Sequence, residues 1–563
     1  MVELVDDVYQ CDVLVIGGGG AGARAAIEAR KHNVEVLLVV KGLFGRSGCT
    51  VMAEGGYNAA FGFVDPEDTP ELHFEDTVIG GRFLNNQKLV EILVRDAPKR
   101  VLELESFGAT FDRIEPEKFD QRYFGGQRFR RTVHRGDRTG HEMMNALKEE
   151  AYRVGVEVLE EVAITRLLTN EGIITGATGL DLIHGRFLLF KAKAVVLATG
   201  GAGRLYSITT NPYQKTGDGY ALAYNAGAEL IDMEMVQFHP TGMVYPPSAS
   251  GLLVTEAVRG EGGKLYNSLG ERFMARYDPE RMELSTRDVV TRAIFREITE
   301  GRGTEHGGVY LDLTHVPDEI IEQKLGTMLK QFLDVGVDIR REPMEVSPSA
   351  HHFMGGVRTR EDCRSTVIPN LFACGEVNGG VHGANRLGGN SLAETQVFGA
   401  IAGENAAKEA KRHGYAKVDY KTLEEEHERI FRFEAGEGLL PYEVRSQLQR
   451  VMWEKVGIMR SRQSLEEALR TIAMLRSKLE EVTVESGLRY NLQLLAAVEL
   501  DNMLLVAEMI ARSALLRTES RGAHFRSDYP EEDPRWVKNI VVSKAADGML
   551  VRTVEPVITT LVP

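Results

Sequence analysis

Gly17, Gly19 and Gly22 have a spacing with a chemical meaning, because they form the pattern G-x-G-x-x-G within Gly17-Gly-Gly-Gly-Ala-Gly22. In that pattern the first glycine permits a tight turn, the second lets the backbone approach a pyrophosphate, and the third lets a helix pack closely on a strand. The free N–H groups at the start of such a helix favour phosphate. The spacing therefore predicts a binding site for a dinucleotide.

The elements around this turn must position it. Apolar residues predict a strand at 11–16 before the glycines, a helix at 23–31 after them, and a second strand at 34–40. A βαβ unit of roughly 30 residues is the usual setting of a dinucleotide fold. Val40 and Lys41 stand where NAD-binding proteins place a ribose-binding acid. The pattern therefore disfavours NAD unless another acid binds the ribose.

Wide gaps separate the remaining predicted strands, at 194–198 and 371–373. They predict one sheet domain built from segments 1–240 and 350–415, with an inserted domain at 241–349. Residues 416–524 predict a helical domain, in which Ser464-Leu-Glu-Glu467 is interpreted as a capping box and a later helix runs from about Leu492 to Leu516. Residues 525–563 are predicted to form a short extended appendage.

Composition excludes several classes of protein. The 563 residues include 82 Asp and Glu against 67 Lys and Arg, a net charge of −15, which is not the electrostatic footprint of a nucleic-acid-binding protein. The four cysteines form no C-x-x-C pair, so we predict no metal site, iron–sulfur cluster or haem within the chain. The acidic first residues and the lack of an apolar run of about 20 residues predict a cytoplasmic protein without a membrane span.

Seven longer motifs follow one another along the chain: Arg46-Ser-Gly-Cys-Thr-Val-Met-Ala-Glu-Gly-Gly56, Gln237-Phe-His-Pro-Thr-Gly242, Leu253-Val-Thr-Glu-Ala-Val-Arg-Gly-Glu-Gly-Gly263, Ser285-Thr-Arg-Asp-Val-Val290, His351-His-Phe-Met-Gly-Gly356, His382-Gly-Ala-Asn-Arg-Leu-Gly-Gly-Asn-Ser-Leu392 and Arg517-Thr-Glu-Ser-Arg-Gly522. Together they resemble the flavoprotein subunit of succinate dehydrogenase and fumarate reductase, from about residue 10 to about residue 540. The resemblance implies an α/β fold: a Rossmann-like FAD-binding domain with an inserted α+β capping domain and a C-terminal helical domain.

The resemblance also implies FAD as the cofactor. Its binding residues would be Gly17, Gly19, Gly20, Ala21, Gly22, Lys41, Ser47, Cys49, Thr50, Glu54, Gly55, Gly56, Asp218, Glu376, Ser391 and Leu392. Ser391 and Leu392 would begin a helix aimed at a carbonyl of the flavin ring, whose reduced, anionic form a helix N-terminus stabilises. Cys49 stands where many members carry the histidine that links FAD covalently. Non-covalent FAD is therefore predicted, with a cysteinyl link as the alternative.

A C4 dicarboxylate site is implied by the same resemblance. His239, Thr255, His351 and Arg386 match the family's substrate ligands, and Phe124 matches an aromatic residue that packs on the substrate. Arg287 matches the arginine that delivers a proton, with Glu256 and Arg259 as its relay. His134, His141 and His352 match no essential residue, and we assign them no role. The implied reaction is the interconversion of fumarate and succinate.

Two other functions remain as alternatives. L-aspartate oxidase shares the fold and several motifs, but it places a glutamate near the substrate amino group where this chain has Phe124. A flavoprotein that only relays electrons would be expected to lose the dicarboxylate ligands, and here they are all present. Glu54 favours fumarate reduction, because fumarate reductases tend to have Glu at this position and succinate dehydrogenases Gln.

Electrons must reach the flavin from a partner, because the chain carries no cluster motif. The resemblance implies an iron–sulfur subunit, through which the chain would reach the cytoplasmic face of a membrane. The thiol:fumarate reductase of methanogens is one similar enzyme. The sequence leaves open whether the donor is a quinol, a pair of thiol coenzymes or another compound.

Overall fold

The glycine-rich turn joins two neighbouring parallel strands in the largest sheet. In the computed structural model, which describes residues 4–433 and 436–563, strand Asp7–Ile16 pairs with Val36–Val40, and helix Gly20–Lys31 connects them. The helix starts earlier than the predicted residue 23, because Gly19 is its N-cap. The glycines thus form the first turn of the helix, and their N–H groups lie at its open end.

Seven strands form this sheet. Parallel pairs join Glu157–Glu160 to Val36–Val40, and Asp7–Ile16 to Arg186–Leu197. The long strand Arg186–Leu197 contains most of the predicted segment 194–198 and also pairs with Leu371–Ala373. Two antiparallel strands, Val162–Asn170 and Ile173–Asp181, complete the sheet. Segments far apart in sequence therefore build one sheet, as predicted.

A four-stranded antiparallel sheet carries much of the inserted segment. Its order is Val236–Met243, Met344–Phe353, Val309–Asp312 and Lys264–Tyr266. Buried side chains between Met243 and Val346 form a hydrophobic core separate from those of the large sheet. The predicted domain boundaries at 240, 349, 415 and 524 remain predictions.

Helices cover both the large sheet and the C-terminal part. Those with eight or more residues are Gly20–Lys31, Pro70–Gly80, Gln87–Ser106, Thr139–Arg153, Asp218–Asn225, Arg287–Glu297, Gly326–Asp334, Asn390–Ala410, Tyr420–Phe431, Pro441–Lys455, Arg462–Lys478 and Leu492–Leu516. The bounds of the last helix agree with the prediction. The capping box at Ser464 was wrong: Ser461 is the N-cap, and Ser464 lies at the third helical position, where its Oγ accepts from the Ser461 N–H.

The C-terminal segment is more than an appendage. Strands Asn539–Ala545 and Gly548–Val554 form a hairpin that extends a five-stranded sheet through Leu230–Ile231, Gly356–Arg358 and Asn378–Gly379. Ile540, Val541 and Val542 are fully buried. Among the described residues, no helix is long and apolar enough to cross a membrane.

Candidate active site

A cavity of about 530 Å³ lies at the carboxyl ends of the central strands, around the glycine-rich turn. Its wall contains most of the residues predicted to bind FAD: Gly17, Gly19, Gly20, Ala21, Lys41, Ser47, Cys49, Thr50, Glu54, Asp218, Glu376, Ser391 and Leu392. Gly22, Gly55 and Gly56 lie behind this wall. A cavity at the carboxyl edge of a parallel sheet is where α/β folds bind ligands.

Gly17 and Gly22 set the shape of the turn. Gly17 has a φ of 107°, which L side chains rarely adopt, and a Cβ on Gly22 would lie 1.7 Å from the Gly17 carbonyl oxygen. These two residues therefore allow the helix to pack directly on the strand. The Gly20 N–H donates to Thr50 Oγ1 at 3.1 Å, which joins the turn to the segment around Cys49.

The helix Asn390–Ala410 begins at the same cavity, with Ser391 and Leu392 on the wall. It crosses the helix Gly20–Lys31 at very short range: a Cβ on Gly399 would lie 2.7 Å from the Ala21 carbonyl oxygen, and a Cβ on Gly403 2.2 Å from that of Ala25. Asn58 holds the preceding loop by donating to the Gly388 carbonyl and to Asn390 Oδ1, both at 2.7 Å. Two helix N-termini therefore converge on one cavity, an arrangement that suits a ligand with negative groups at both ends.

Cys49 begins a short helix, Cys49–Met52, on the cavity wall. Burial raises the pKa of its thiol, and the nearby Lys215 ammonium opposes that effect only partly. Lys215 forms a buried ion pair with Glu376, whose other oxygen accepts from the Phe353 N–H at 3.1 Å. Because burial keeps the thiol protonated, Cys49 is a weak nucleophile here.

Lys41 and Asp218 are bound to each other. The Lys41 ammonium lies 2.6 Å from Asp218 Oδ2 and 2.7 Å from Glu499 Oε1. Burial lowers the pKa of Lys41, but the two carboxylates outweigh it, so the pKa is raised overall. Glu499 belongs to the helix Leu492–Leu516, whose pattern predicts only core packing. This ion-pair network therefore ties the cavity to the C-terminal helices.

Arg287, Glu256 and Arg259 lie together next to the cavity. Arg287 donates to Glu256 Oε2 from Nε at 2.9 Å and from Nη2 at 2.7 Å, while Arg259 Nη2 lies 3.8 Å from Glu256 Oε1. Burial raises the pKa of Glu256, but the Arg287 and Arg259 guanidinium groups outweigh it and hold the pKa at about 2. The predicted proximity of these three side chains is thus present, with Glu256 ionised between two cations.

His239 and His351 form the next part of this cluster, with ring centroids 5.1 Å apart. His239 Nδ1 lies against the backbone of Thr241, and His351 Nδ1 lies 2.8 Å from Thr210 Oγ1. Burial lowers the pKa of both histidines well below the ordinary value, and neighbouring positive groups lower it further. Both rings are therefore neutral near pH 7, with Nε2 not engaged by these contacts.

Thr255 acts first as a helix cap. Its Oγ1 accepts from the Ala257 N–H at 3.4 Å, at the start of the short helix Glu256–Gly260 that carries Glu256 and Arg259. The hydroxyl hydrogen remains available to a ligand. The residue type is explained by the cap alone, so its substrate role remains a prediction.

Arg386 is a buried cation without an anion. Its closest partners are neutral oxygens, the Leu387 carbonyl at 3.5 Å and Ser391 Oγ at 3.4 Å, and its Nε has no partner. Burial and then the Arg287 charge lower the pKa of Arg386 to about 9. In the described part of the chain, no carboxylate lies within ion-pair distance of it. A buried unpaired guanidinium is costly, so this position is built for an anionic ligand.

Phe124 packs between two glycines beside this cluster. A Cβ on Gly55 would lie 2.9 Å from Phe124 Cζ, and a Cβ on Gly388 would lie 3.2 Å from Phe124 Cδ2. Glu54, the preceding residue on the cavity wall, accepts from Gln331 Nε2 at 3.3 Å. Burial, followed by the Asp137 charge, raises the pKa of Glu54 to about 8. Its carboxyl group is therefore mostly protonated at pH 7.

Several contacts of the cluster were not predicted. Gln237 Oε1 accepts from Arg287 Nη1 at 3.3 Å, and the Gly125 N–H donates to Glu256 Oε1 at 2.9 Å. Gln237 lies in one of the seven sequence motifs, whereas a backbone donor such as Gly125 has no side chain that could have signalled it. Lys215 directly precedes the Thr216-Gly-Asp-Gly219 motif, and its place in that motif was the signal that could have found it.

The cavity wall also fits FAD in its unsatisfied polar atoms. Five buried atoms that face this region have no hydrogen-bond partner: Glu54 Oε2, Thr199 Oγ1, Asn211 Oδ1, His352 Nε2 and Glu394 Oε1. Such groups are rare in the interior of a protein and indicate a bound polar partner. A dinucleotide with a polar ring system, hydroxyl groups and a pyrophosphate supplies partners of this kind.

Comparison with known proteins agrees with this geometry. A profile of the FAD binding domain family matches residues 12–392, and a profile described as the fumarate reductase flavoprotein C-terminus matches residues 445–563. One relative is the first of the named subunits of the fumarate reductase (CoM/CoB) of Methanothermobacter marburgensis, 57% identical over 97% of this chain and 99% of its own length. The mitochondrial succinate dehydrogenase flavoprotein subunit of Oryza sativa is 38% identical over 95% and 88%.

Solved structures give the same result. A variant of the E. coli quinol fumarate reductase flavoprotein superposes with a TM-score of 0.94 at 35% identity, over 99% of this chain and 98% of that one. Mycobacterium smegmatis Sdh1 superposes with a TM-score of 0.88 at 44% identity, over 98% and 94%. The α/β fold and the FAD-binding domain predicted from the sequence are confirmed. The chain thus belongs to the flavoprotein family of succinate dehydrogenase and fumarate reductase.

Proposed function

We propose that this FAD-dependent oxidoreductase reduces fumarate to succinate, with Arg287 as the proton donor. The observation that carries the proposal is the buried, unpaired Arg386 beside the Arg287–Glu256 ion pair. Three guanidinium groups, those of Arg259, Arg287 and Arg386, face a single carboxylate in this cluster. The excess of two positive charges equals the charge that a C4 dicarboxylate would bring.

Substrate binding is assigned to four side chains. Arg386 pairs with one carboxylate, since its guanidinium has no other anion, while His239 and His351 present neutral ring nitrogens and Thr255 a hydroxyl. Neutral histidines donate hydrogen bonds without requiring a second set of counterions. Phe124 closes the site on the side of Gly55 and Gly388 and helps to exclude water.

FAD, when bound by the cavity wall, supplies the hydride that reduces one alkene carbon. Arg287 delivers the proton to the other carbon, and Nη1 is its least engaged nitrogen because Nε and Nη2 both donate to Glu256. An isolated guanidinium is a poor acid. Crowding by Arg386 and Arg259 favours release of the proton, and Glu256 then restores it from the side of Arg259.

Non-covalent FAD is part of the proposal, since Cys49 carries a protonated thiol and the chain has no histidine at this position. The methanogen relative is named as one subunit of its enzyme, which supports a multi-subunit enzyme in which an iron–sulfur partner delivers electrons. That partner, the physiological direction and the cytoplasmic location remain predictions.

Steady-state assays of the purified flavoprotein test the substrate. We expect rapid fumarate reduction with a reduced viologen and no oxidation of L-aspartate by oxygen. The cluster offers no free carboxylate to an ammonium group, because Glu256 is already bound to Arg287. Aspartate-dependent flavin reduction with peroxide production would instead make the chain an aspartate oxidase. Flavin content without turnover on either substrate would favour an electron-relay protein.

A further inference from the structure

His352 lies on the same strand as His351 but faces away from the dicarboxylate cluster. Adjacent residues of a strand point to opposite faces, and the ring of His352 lies 5.3 Å from that of His382, at an interplanar angle of 71°. His382 Nε2 lies 2.9 Å from Glu394 Oε2. These three residues form a buried cluster, here called the His–His–Glu cluster, that the substrate site does not use.

Each member of the cluster has one buried polar atom without a partner: His352 Nε2, His382 Nδ1 and Glu394 Oε1. The cluster also reaches the cofactor cavity, because His352 and Glu394 both lie on its wall. Glu394 belongs to the first turns of the helix Asn390–Ala410, whose Ser391 and Leu392 lie on the same wall. Three unsatisfied groups at one point of that wall indicate a site that exchanges something with its surroundings.

A metal ion is a poor occupant of this cluster. The candidate ligand atoms lie within 4.8 Å of one another, whereas ligands on a tetrahedral zinc ion are about 3.4 Å apart. The direct His382–Glu394 contact already uses one atom of each residue. Lys215 and Arg386 also act on His352 as nearby positive charges, which disfavours a cation.

A proton is a better candidate, because bound FAD changes its charge during turnover. Two electrons and one proton convert the oxidised ring to a form with one negative charge. We propose that the His–His–Glu cluster takes up one further proton from solvent when bound FAD is reduced, and releases it when the hydride leaves. The electrons come from a one-electron donor such as an iron–sulfur protein, so each cycle balances as two electrons and two protons taken up.

The charges around the cluster support this exchange. Burial, and then Arg386, His382, Lys215 and His351, hold the pKa of His352 well below the ordinary value, so its ring is empty of the second proton before reduction. Glu376 Oε1 lies 3.7 Å from His352 Nδ1, and Glu394 stands beside His382. New negative charge in the cavity raises the proton affinity of this site.

Two neighbours of Glu394 do not compete for the proton. Burial raises the pKa of the Cys374 thiol and that of the Tyr220 hydroxyl, and Glu394 raises both further. Both groups therefore stay protonated before and after reduction. The His–His–Glu cluster is left as the acceptor on this part of the wall.

Spectroelectrochemical titration of the FAD-loaded protein tests the inference, which rests on FAD binding and not on the identity of the substrate. The dependence of the flavin midpoint potential on pH gives the number of protons taken up per two electrons. From about pH 6 to about pH 8 we expect two protons for the unmodified protein and one for His352→Phe. Glu394→Gln should lower the number as well, and it serves if His352→Phe does not fold. His141→Gln is the matched control, because His141 lines the cavity outside the cluster.

Three results would overturn the inference. They are one proton per two electrons in the unmodified protein, two protons in both cluster variants, and a stoichiometric metal that His352→Phe loses. Loss of fumarate turnover with two-proton uptake preserved would overturn the proposed substrate and leave the proton site standing.

Discussion

Arg287 and Arg386 illustrate two ways of keeping a guanidinium group inside a protein. Arg287 is neutralised by Glu256 through two hydrogen bonds, whereas Arg386 contacts only neutral oxygens. A bidentate pair is stable without a ligand, but an unpaired buried cation gains most from binding an anion. The two residues are therefore suited to different tasks, proton delivery for Arg287 and anchoring for Arg386.

Arg287→Ala tests the first task. We expect unchanged FAD content and a fall in fumarate turnover of about 10²–10⁴-fold, the range for loss of a general acid. Flavin absorbance of the purified protein and viologen-linked fumarate reduction measure the two quantities. Arg296→Ala is the control on the same helix, because Arg296 packs over Tyr277 and makes no contact with Glu256. Turnover within a few-fold of normal in Arg287→Ala would remove Arg287 from the mechanism.

At the residue scale, motifs found the charged side chains but not what holds them. Arg287, Glu256 and Arg259 were predicted to act together, and they lie together. The Gly125 N–H that also binds Glu256, and the Glu499 carboxylate that binds Lys41, come from parts of the chain 131 and 458 positions away. Pairings at such separations depend on the tertiary fold, and no local pattern announces them.

At the element scale, the two helices that face the cofactor cavity depend on each other. Helix Asn390–Ala410 rests on helix Gly20–Lys31 through Gly399 and Gly403, with no room for a side chain between the backbones. The position of each N-terminus at the cavity is therefore fixed by the other helix. Close packing of this kind tolerates added atoms poorly.

Gly403→Ala tests this dependence. The new Cβ would lie 2.2 Å from the Ala25 carbonyl oxygen, so one helix must shift. We expect a loss of roughly 1–3 kcal/mol in the free energy of unfolding, typical of overpacking, together with weaker retention of FAD. Denaturant unfolding and flavin release on dilution measure these effects. Gly80→Ala, at the end of another helix with nothing within 4 Å of the new Cβ, should leave both unchanged. Equal behaviour of the two variants would show that the helices can separate without loss.

Element boundaries were predictable where local signals act alone. The apolar helix Leu492–Leu516 was placed correctly, since its long hydrophobic run has few competing interpretations. Two serines three residues apart, Ser461 and Ser464, both resemble N-caps, and the tertiary contact of Ser464 Oγ with the Lys455 carbonyl favours Ser461. The C-terminal hairpin was missed because its partner strand, Leu230–Ile231, lies some 300 positions earlier.

At the scale of the whole molecule, Lys41 joins three distant parts of the chain. Its ammonium pairs with Asp218 from one helix and Glu499 from another, and Asn502 donates to the same aspartate at 3.0 Å. A single buried cation thus balances two carboxylates at the point where the sheet, the cavity and the C-terminal helices meet.

Lys41→Met should destabilise the molecule by about 3–5 kcal/mol, the usual effect of removing one partner from a buried ion pair. The side chains of lysine and methionine have similar shapes, so the change mainly removes the charge. Denaturant unfolding measures the loss, and flavin content measures its effect on the cavity. Lys421→Met, on an exposed lysine, is the control. A loss no larger than that of the control would mean that solvent or a proton compensates the two carboxylates.

The buried histidines predict how the whole molecule responds to acid. Burial, and then the Arg131 charge, lower the pKa of His73 to about 3, against about 6.5 in an unfolded chain. Between these values the unfolded state binds the additional proton, so the free energy of unfolding is constant above pH 6.5 and falls as the pH decreases below it. From pH 7 to pH 5 the loss at His73 is about 2 kcal/mol. Denaturant unfolding at both pH values should show this loss in the unmodified protein and about 2 kcal/mol less of it in His73→Gln, whereas His315→Gln, at an exposed histidine, should keep the full loss. An identical loss in His73→Gln would show that the ring of His73 is protonated in the folded protein as readily as in the unfolded chain.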